Sequence, residues 1–344
     1  MPQVEIGSLP GVRDAILIVS SARSRPEEPV TSTTSAPSPL DRTGLALGLG
    51  CYLLWGFLPL YFNVLDQTGS VEMIAQRAVW GLVFCLLVLP AVGQWRQFAA
   101  VLRSPRTLAV LGTAAALVGV NWYLFVWGVT HGHVVDASLG YYVNPLVTVL
   151  LAVLVLRERL RRAQVWALGF GALAVVVIAT GSDGALWLSL GLALTFGGYG
   201  LVKNRVGRTV GALPGLAVET AFLTPFALAY LVWLGPRESL VGNGVGYGLL
   251  VASLGVVTVV PLLLFSGAAR RLPLSVVGLL QYLTPSMQLA IGVLVLDEPM
   301  SPTRWVGFSL VWVALVILGV DGVRAVRATP PLDGGTATTP DPSR

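Results

Sequence analysis

Charged residues are scarce in this chain, since Asp, Glu, Lys and Arg together make up 11% of its 344 residues. Ordinary soluble domains carry roughly 25%. Hydrophobic residues make up 55%. A soluble fold of this length has too much surface to cover with so few charges, whereas a surrounding bilayer removes that demand. The scarcity excludes an ordinary soluble domain and indicates a protein embedded in lipid.

Reactive side chains are also few. Cys51 and Cys85 are the two cysteines, and both lie inside apolar segments, which suits small buried side chains better than a disulfide or a metal pair. The sequence has no HExxH, GxSxG, P-loop or paired CxxC motif and no aspartate-rich run. We therefore expect no cofactor and no metal, and an enzyme has little support at the level of residues.

Lysine occurs once, as Lys203, so arginine carries nearly all of the positive charge. The net charge of +5 does not predict a nucleic-acid partner, because the arginines lie in short loops between apolar segments. That placement is typical of membrane topology. Residues 1–41 and 329–344 lie outside the apolar part, and their Pro, Ser and Thr content predicts disordered extensions.

One internal repeat organises the apolar part. Leu139, Tyr142 and Pro145 recur 140 residues later within the segment 279–285. Thirteen residues after each proline stands a glutamate, Glu158 in the first copy and Glu298 in the second. Two homologous membrane halves, 44–181 and 185–322, with helix breakers at matching positions are the form expected of a secondary transporter.

Ten apolar stretches are close to the roughly 20 residues that a helix needs to cross the hydrocarbon core. Since each half then has five spans, an odd number, the second half enters the membrane from the opposite side. We therefore predict an all-α, polytopic membrane protein with ten transmembrane helices arranged as two inverted five-helix repeats. The predicted spans are 44–63, 72–93, 107–129, 136–156, 163–181, 185–202, 213–234, 246–267, 274–296 and 303–322.

The basic residues predict the orientation of these spans. Fifteen Lys and Arg residues flank the spans on one side, against two on the other, Arg237 and Arg304. Basic residues concentrate in cytoplasmic loops, so we expect both termini in the cytoplasm.

Spans four and nine carry the polar residues that the repeat places in matching positions. Tyr141, Pro145 and Thr148 match Gln281, Pro285 and Gln288, and the spacing puts each set on one helix face. A proline inside a helix frees a carbonyl and kinks the helix. One interpretation is a solute cavity between the halves, lined by two broken helices; the alternative is that these side chains only join helices in lipid. The cavity candidates from these spans are Tyr141, Tyr142, Asn144, Pro145, Gln281, Tyr282, Pro285 and Gln288.

Spans one and three add further candidates. Trp55 and Pro59 lie in span one, and Asn121 and Trp122 in span three. These residues either line the cavity or pack and anchor helices. Glycines Gly56 and Gly197 occupy nearly equivalent positions in spans one and six, where close helix packing is the simpler role.

Ionisable residues inside the spans are few and costly. Arg77 in span two either extends outward to the membrane surface or binds an anionic group in the cavity. Glu72 is five residues away, a poor spacing for a helical ion pair. Glu72 and Glu219 are candidates for proton coupling, with stabilisation of a helix end as the alternative for Glu219. For Glu158 and Glu298 we favour a role at helix N-termini.

These residues together resemble the RarD family of EamA-type transporters, in the drug/metabolite transporter superfamily. The similarity covers roughly 44–322. It rests on Tyr52-x-x-Trp55-Gly56-x-x-Pro59-x-Tyr61-Phe62, Glu72 with Arg77 and Trp80, Asn121-Trp122, Ala137-Ser138-Leu139-Gly140-Tyr141, Asn144-Pro145, Glu158-Arg159, Arg161-Arg162-x-Gln164, Tyr199-Gly200-Leu201, Glu219-Thr220, Pro261-Leu262-Leu263, and Gln281-Tyr282 with Pro285.

The resemblance implies an inner-membrane exporter of a small-molecule solute, with a central cavity between the repeats. The chain departs from the family pattern at Gln76, where histidine is expected, at Asn63, where lysine is expected, and at Thr130 and His131. Since Gln76 cannot carry a proton, coupling would fall to Glu72 or Glu219. We expect small amphiphilic metabolites or drugs to move by alternating access. The alternatives are an intramembrane enzyme acting on a lipid or isoprenoid and a non-transporting membrane scaffold.

Overall fold

The computed structural model describes residues 41–157, 159–181, 185–206, 209–237, 239 and 243–328. Within these ranges the regular structure is helical and no strand occurs, which confirms the all-α class. The helices are α1 Arg42–Gly56, α2 Leu58–Val64, α3 Ser70–Ala91, α4 Trp95–Leu102, α5 Pro105–Thr130, α6 Val134–Leu156, α7 Arg162–Thr180, α8 Leu186–Asn204, α9 Ala212–Leu234, α10 Gly244–Ala252, α11 Leu254–Ala269, α12 Leu274–Leu280, α13 Leu283–Leu294 and α14 Pro302–Ala328, with a short 3₁₀ turn at Gly235–Arg237.

Nine segments of the described chain are long and apolar enough to cross a bilayer, and α1 with α2 makes a tenth if the pair is one crossing. Those two helices meet at a 41° bend. The bend lies at Phe57, and Pro59 occupies the first turn of α2. Proline fits the first turn of a helix because no backbone N–H is needed there. Each predicted span coincides with one of these segments. Glu158 and the two predicted terminal extensions, apart from Asp41, lie outside the described residues.

Helix α4 was not predicted and lies between the second and third spans. Phe98 and Val101 are buried on one side of it, whereas Trp95 and Leu102 are exposed. Eight residues are far too few to cross a bilayer. An amphipathic helix of this kind suits the plane of the membrane surface, and the side chain of Gln97 joins it to the backbone of Thr209.

The two halves interlock rather than pack as separate bundles. Helix α1 packs on α11 and α13, α3 packs on α9 and α11, and α6 packs on α8 and α13. The contact of α3 with α11 is so close that a Cβ atom on Gly255 would lie 2.3 Å from the carbonyl oxygen of Trp80. A Cβ atom on Gly56 would lie 2.7 Å from the sulfur of Met287, which agrees with close helix packing at this glycine. The core therefore lies between the halves.

Helix ends that the topology assigns to one side of the membrane do meet. On the predicted outer side Thr68 contacts Ser239 at 2.9 Å, and Ser70 contacts Thr130 at 2.9 Å. On the predicted inner side, two exposed ion pairs join helix ends, Asp41 with Arg271 and Arg161 with Asp321. The alternation of the spans is therefore internally consistent.

The orientation can be tested with single added cysteines, because Cys51 and Cys85 are fully buried and should not react. Gln67 and Arg96 are both exposed, at opposite ends of the bundle. We expect Gln67→Cys to react with a membrane-impermeant maleimide in intact cells and Arg96→Cys to react only after permeabilisation. The reverse pattern would contradict the predicted orientation.

Candidate functional site

The contact between α6 and α13 joins the two halves at the predicted site. The hydroxyls of Tyr142 and Ser286 lie 2.6 Å apart, and Ser286 also donates to the carbonyl of Tyr282 at 2.7 Å. Tyr142 is buried and completes a bond between helices. For this pair the packing alternative describes the geometry best.

The two copies of the repeat differ at their prolines. In span nine the helix is interrupted at Gln281 and Tyr282, and Pro285 lies in the first turn of α13. In span four the helix continues from Val134 to Leu156 through Pro145. The expectation of two broken helices is thus wrong for the first copy. An internal proline is tolerated in a membrane helix that neighbouring helices support, and α6 is held by α8 and α13 along its length.

Span one meets span nine through backbone carbonyl groups that accept hydrogen bonds from side chains of span nine. Proline has no N–H, so Pro59 cannot pair with the carbonyl of Trp55 four residues earlier. The Nε2 of Gln288 donates to that carbonyl at 3.3 Å, and Thr284 donates to the carbonyl of Tyr52 at 2.9 Å. The predicted residues Trp55, Pro59 and Gln288 therefore lie in one contact between the halves.

Two amide oxygens are buried without a partner at two different contacts between the halves, Gln288 between α13 and α1 and Asn144 between α6 and α8. Within the described residues Asn144 Oδ1 and Gln288 Oε1 accept no hydrogen bond. Asn144 Oδ1 faces Gly197, since a Cβ atom there would lie 3.4 Å from it. An unpaired buried amide costs free energy, roughly 1–3 kcal/mol by protein mutational data. These oxygens are acceptors that water or a solute can satisfy.

Asn121 on α5 joins α6 of the first half and α8 of the second half. Its Nδ2 donates to the carbonyl of Leu192 at 3.1 Å and to Thr195 Oγ1 at 3.0 Å. Its Oδ1 accepts from the hydroxyl of Tyr141 at 3.4 Å. Asn121 is 2% exposed. The structure brings Asn121 and Tyr141 together as predicted, on the opposite side of α6 from the Tyr142 contact.

Arg77 lies inside the bundle and does not extend to the membrane surface. Its side chain is 6% exposed. Its Nε donates to Thr258 Oγ1 at 2.9 Å, and its guanidinium carbon lies 4.0 Å from the ring centre of Trp122 and 5.9 Å from that of Phe62. A cation over an aromatic face is stabilised by the ring quadrupole. The interpretation in which Arg77 reaches the headgroups is therefore wrong.

The two predicted coupling residues have separate partners. One Glu72 oxygen accepts from the backbone N–H of Ser239 at 2.7 Å and from its hydroxyl at 2.6 Å. Glu219 is fully buried, forms an ion pair with Lys203 and accepts from the hydroxyl of Tyr199 at 3.2 Å. The single lysine of the chain thus neutralises a carboxylate inside the bundle.

A buried polar cluster at the predicted outer end was not foreseen. Arg304 Nη2 lies 3.2 Å from both oxygens of Asp136, and the backbone N–H of Ala185 donates to Asp136 at 3.1 Å. Both side chains are buried. The signal in the sequence is an aspartate at the start of span four and an arginine at the start of span ten, of which only Arg304 enters the prediction of topology, as a flanking charge.

Glu298 does cap a helix, but not the one that follows it in the chain. Its two carboxylate oxygens accept from the backbone N–H groups of Val134 at 2.6 Å and Val135 at 2.8 Å, at the start of α6. A carboxylate satisfies unpaired N–H groups and the positive end of the helix dipole there. The second half therefore caps a helix of the first.

Gln281 does not join the buried group, since it lies exposed at the break in span nine. A concavity of about 310 Å³ lies between α3 and α10 on the exposed side of the bundle, and Trp80, Val83, Leu87 and Leu249 are among the residues that line it. It is apolar and lies where lipid would surround the protein, so it does not correspond to the predicted cavity. Across the described ranges, no group of three His, Cys, Asp or Glu residues could hold a metal ion.

Comparison with known proteins assigns this architecture to a family. The EamA-like transporter family matches the chain twice, over residues 42–180 and 183–320. The protein RarD of Streptomyces exfoliatus is 48% identical over 83% of this chain and 91% of its own. An uncharacterized transporter of Pseudomonas aeruginosa is 40% identical over 84% of this chain and 97% of its own.

A solved crystal structure shares the fold at 19% identity, with a TM-score of 0.54 over 82% of this chain and 99% of the other. The two family matches coincide with the two halves that the 140-residue repeat defines. The chain therefore belongs to the EamA-like transporter family, within its RarD group of multi-pass bacterial membrane proteins.

Proposed function

We propose that this protein is a secondary transporter that exports small amphiphilic solutes across the bacterial inner membrane by alternating access. The two five-helix halves would rock about the contact between α6, α13 and the bend of span one. The aromatic residues beside that contact suit a solute with an apolar body and a polar group.

The observation that carries this proposal is the pair of unpaired amide oxygens at contacts between the halves. Asn144 and Gln288 belong to opposite halves, and each presents a buried acceptor without a donor in the described chain. A purely structural contact would gain by pairing or removing these groups. A solute with hydroxyl or amine donors would satisfy such an acceptor when it enters.

The described conformation is closed at its predicted outer end. Buried polar links there include Asp136 with Arg304 and Glu72 with Ser239. The ion pairs at the predicted inner end, such as Arg161 with Asp321, are more exposed. We infer that the outer links must break for a solute to leave and that they re-form on the return step.

Among the predicted coupling residues, Glu219 is the better proton carrier. It lies fully buried beside Lys203, near the predicted inner end of α9. Protonation would release Lys203, so one proton would change two charges inside the bundle. Glu72 holds the backbone of Ser239, which is a structural role.

The solute contact can be tested with Asn144→Ala and Gln288→Ala in proteoliposomes. Leaving a buried partner unpaired costs about 1–3 kcal/mol, so we expect apparent affinity in counterflow to fall by roughly ten- to hundredfold. Thr148→Ala, an exposed position on the same helix, is the matched control and should transport normally. Normal transport by both amide variants would place the site elsewhere.

The outer closure can be tested with Arg304→Gln in a background that carries Ser138→Cys. Ser138 is fully buried beneath the Asp136 pair, so its cysteine should react slowly until the closure opens. Removing one partner of a buried ion pair costs about 3–5 kcal/mol, and we expect labelling from outside to rise several-fold while transport falls.

Two further variants control this experiment. Arg237→Gln removes an exposed charge on the same side and should leave labelling unchanged. The double variant Asp136→Asn, Arg304→Gln restores neutrality and should fold while keeping the raised labelling. Unchanged labelling in both the single and the double variant would show that the pair does not hold the outer end closed.

If Glu219 carries the coupled proton, Glu219→Gln should give different results in two transport assays. Transport driven by a pH gradient should be lost, because the amide cannot carry a proton, while solute exchange without a gradient should continue. Glu72→Gln should retain gradient-driven transport at matched protein level. Gradient-driven transport by Glu219→Gln would remove this residue as the carrier.

A further inference from the structure

Arg77 carries a buried positive charge that no carboxylate of the described residues pairs with. Three of the four fully or nearly fully buried carboxylates have a positive partner, since Asp136 pairs with Arg304, Glu219 pairs with Lys203, and Glu298 caps the positive end of α6. Glu72 is directed to Ser239. In the described part of the chain no carboxylate lies within ion-pair distance of Arg77.

Most of the hydrogen-bonding capacity of Arg77 is also unused. A guanidinium has five N–H donors, and the one hydrogen bond of this side chain within the described ranges is from Nε to Thr258. The four N–H donors on the Nη atoms are left for a ligand. Thr258 Oγ1 itself donates to the carbonyl of Leu254, so its oxygen is oriented to accept from Arg77.

The surroundings of the guanidinium would suit an aromatic or amphiphilic anion. Trp122 and Phe62 cover its faces at 4.0 and 5.9 Å. The phenols of Tyr61 and Tyr141 are close enough to interact with its charge. Tyr141 leads on to Asn121 through the 3.4 Å hydrogen bond. The site therefore combines a positive fork with aromatic, largely apolar surroundings.

The depth of Arg77 makes an unneutralised charge costly. It is the eighth residue of α3, about 10 Å along the helix from its outer end at 1.5 Å per residue. A charged side chain at this depth persists where it has a partner or serves a pathway. Cation–π contacts stabilise the charge but do not neutralise it.

We propose that Arg77 is the anion-binding residue of the transporter and that its ligand is the carboxylate of an aromatic or amphiphilic solute. The carboxylate takes two Nη donors in a bidentate pair, and the apolar body of the solute lies against Trp122 and the neighbouring rings. This inference rests on the proposed function, because it names the class of solute that the proposed transporter would carry.

The second part of the bent first span, α2, lies beside the Arg77 guanidinium. Phe62 and Tyr61 lie on α2, the seven-residue helix beyond the 41° bend. Tyr61 is held by Ser253 at 2.8 Å and by the carbonyl of Leu250 at 2.9 Å, both on the opposite half. Movement of α2 away from α10 and α11 would expose the guanidinium towards the predicted outer side.

The test compares an acid with its neutral isostere, indole-3-acetate with indole-3-acetamide, by direct binding to the purified full-length protein in detergent. We expect the wild type to bind the acid at least about tenfold more tightly, since a charge-assisted bidentate pair is lost in the amide. Arg77→Gln should bind the two equally, and Arg77→Lys should recover only part of the preference because lysine lacks the fork.

Arg106→Gln is the matched control, because it removes the same charge from an exposed position and should keep the preference. Thermal unfolding and size exclusion check that each variant is folded.

If Arg77→Gln fails to fold, Thr258→Val keeps the charge but removes the acceptor that orients it, and it should reduce the preference for the acid several-fold. Equal binding of acid and amide by the wild type, or a preference that survives in a folded Arg77→Gln protein, would overturn the proposal.

A free inorganic anion offers the same charge, so the assay is repeated with chloride at 5 and 150 mM at constant ionic strength. A preference that persists at 150 mM chloride supports a solute carboxylate, and one that disappears assigns the site to the inorganic ion and overturns the proposal.

Counterflow is measured separately. If the protein binds with this preference but shows no counterflow of any solute, transport is refuted and the anion site is kept. If it shows counterflow of neutral solutes alone, transport is kept and the anion site is refuted.

Discussion

The cost of a charge surrounded by lipid is the constraint on which this structure depends. Water is not available to screen a buried carboxylate, so each one needs a positive group or a set of donors from the protein. Asp136 binds Arg304 and the N–H of Ala185, which joins the starts of three helices. Glu219 joins α8 to α9 through Lys203. The few charges of the chain thus hold together helices that share no hydrophobic driving force in lipid.

The class, the positions of the apolar helices and the membership of a transporter family could be predicted from the sequence, because each depends on properties that add up along the chain. Hydropathy over twenty residues does not change with the neighbours of a helix. The outer cluster could not be predicted in this way. Asp136 and Arg304 are 168 residues apart. The position of either residue in its own helix does not indicate which residue is its ion-pair partner. The same holds for Glu298, whose cap belongs to a helix 164 residues earlier.

The sequence predicts candidate site residues but not their contacts. Trp55 and Gln288 are predicted from their positions near helix breakers, and Gln288 donates to the carbonyl of Trp55, whereas Asn144 faces Gly197 on α8. Gln281 was chosen by symmetry and is exposed. The repeat does not fix the backbone at its two prolines, since Pro285 lies in the first turn of α13 and Pro145 lies within a continuous helix.

The cap that Glu298 places on α6 has a consequence for biogenesis. The chain is synthesised from its N-terminus, so the N–H groups of Val134 and Val135 leave the ribosome long before the carboxylate that satisfies them. Until residue 298 has been made, these N–H groups lack the carboxylate that caps them. The first turn of the fourth span therefore receives this cap only after the end of the ninth span has been synthesised.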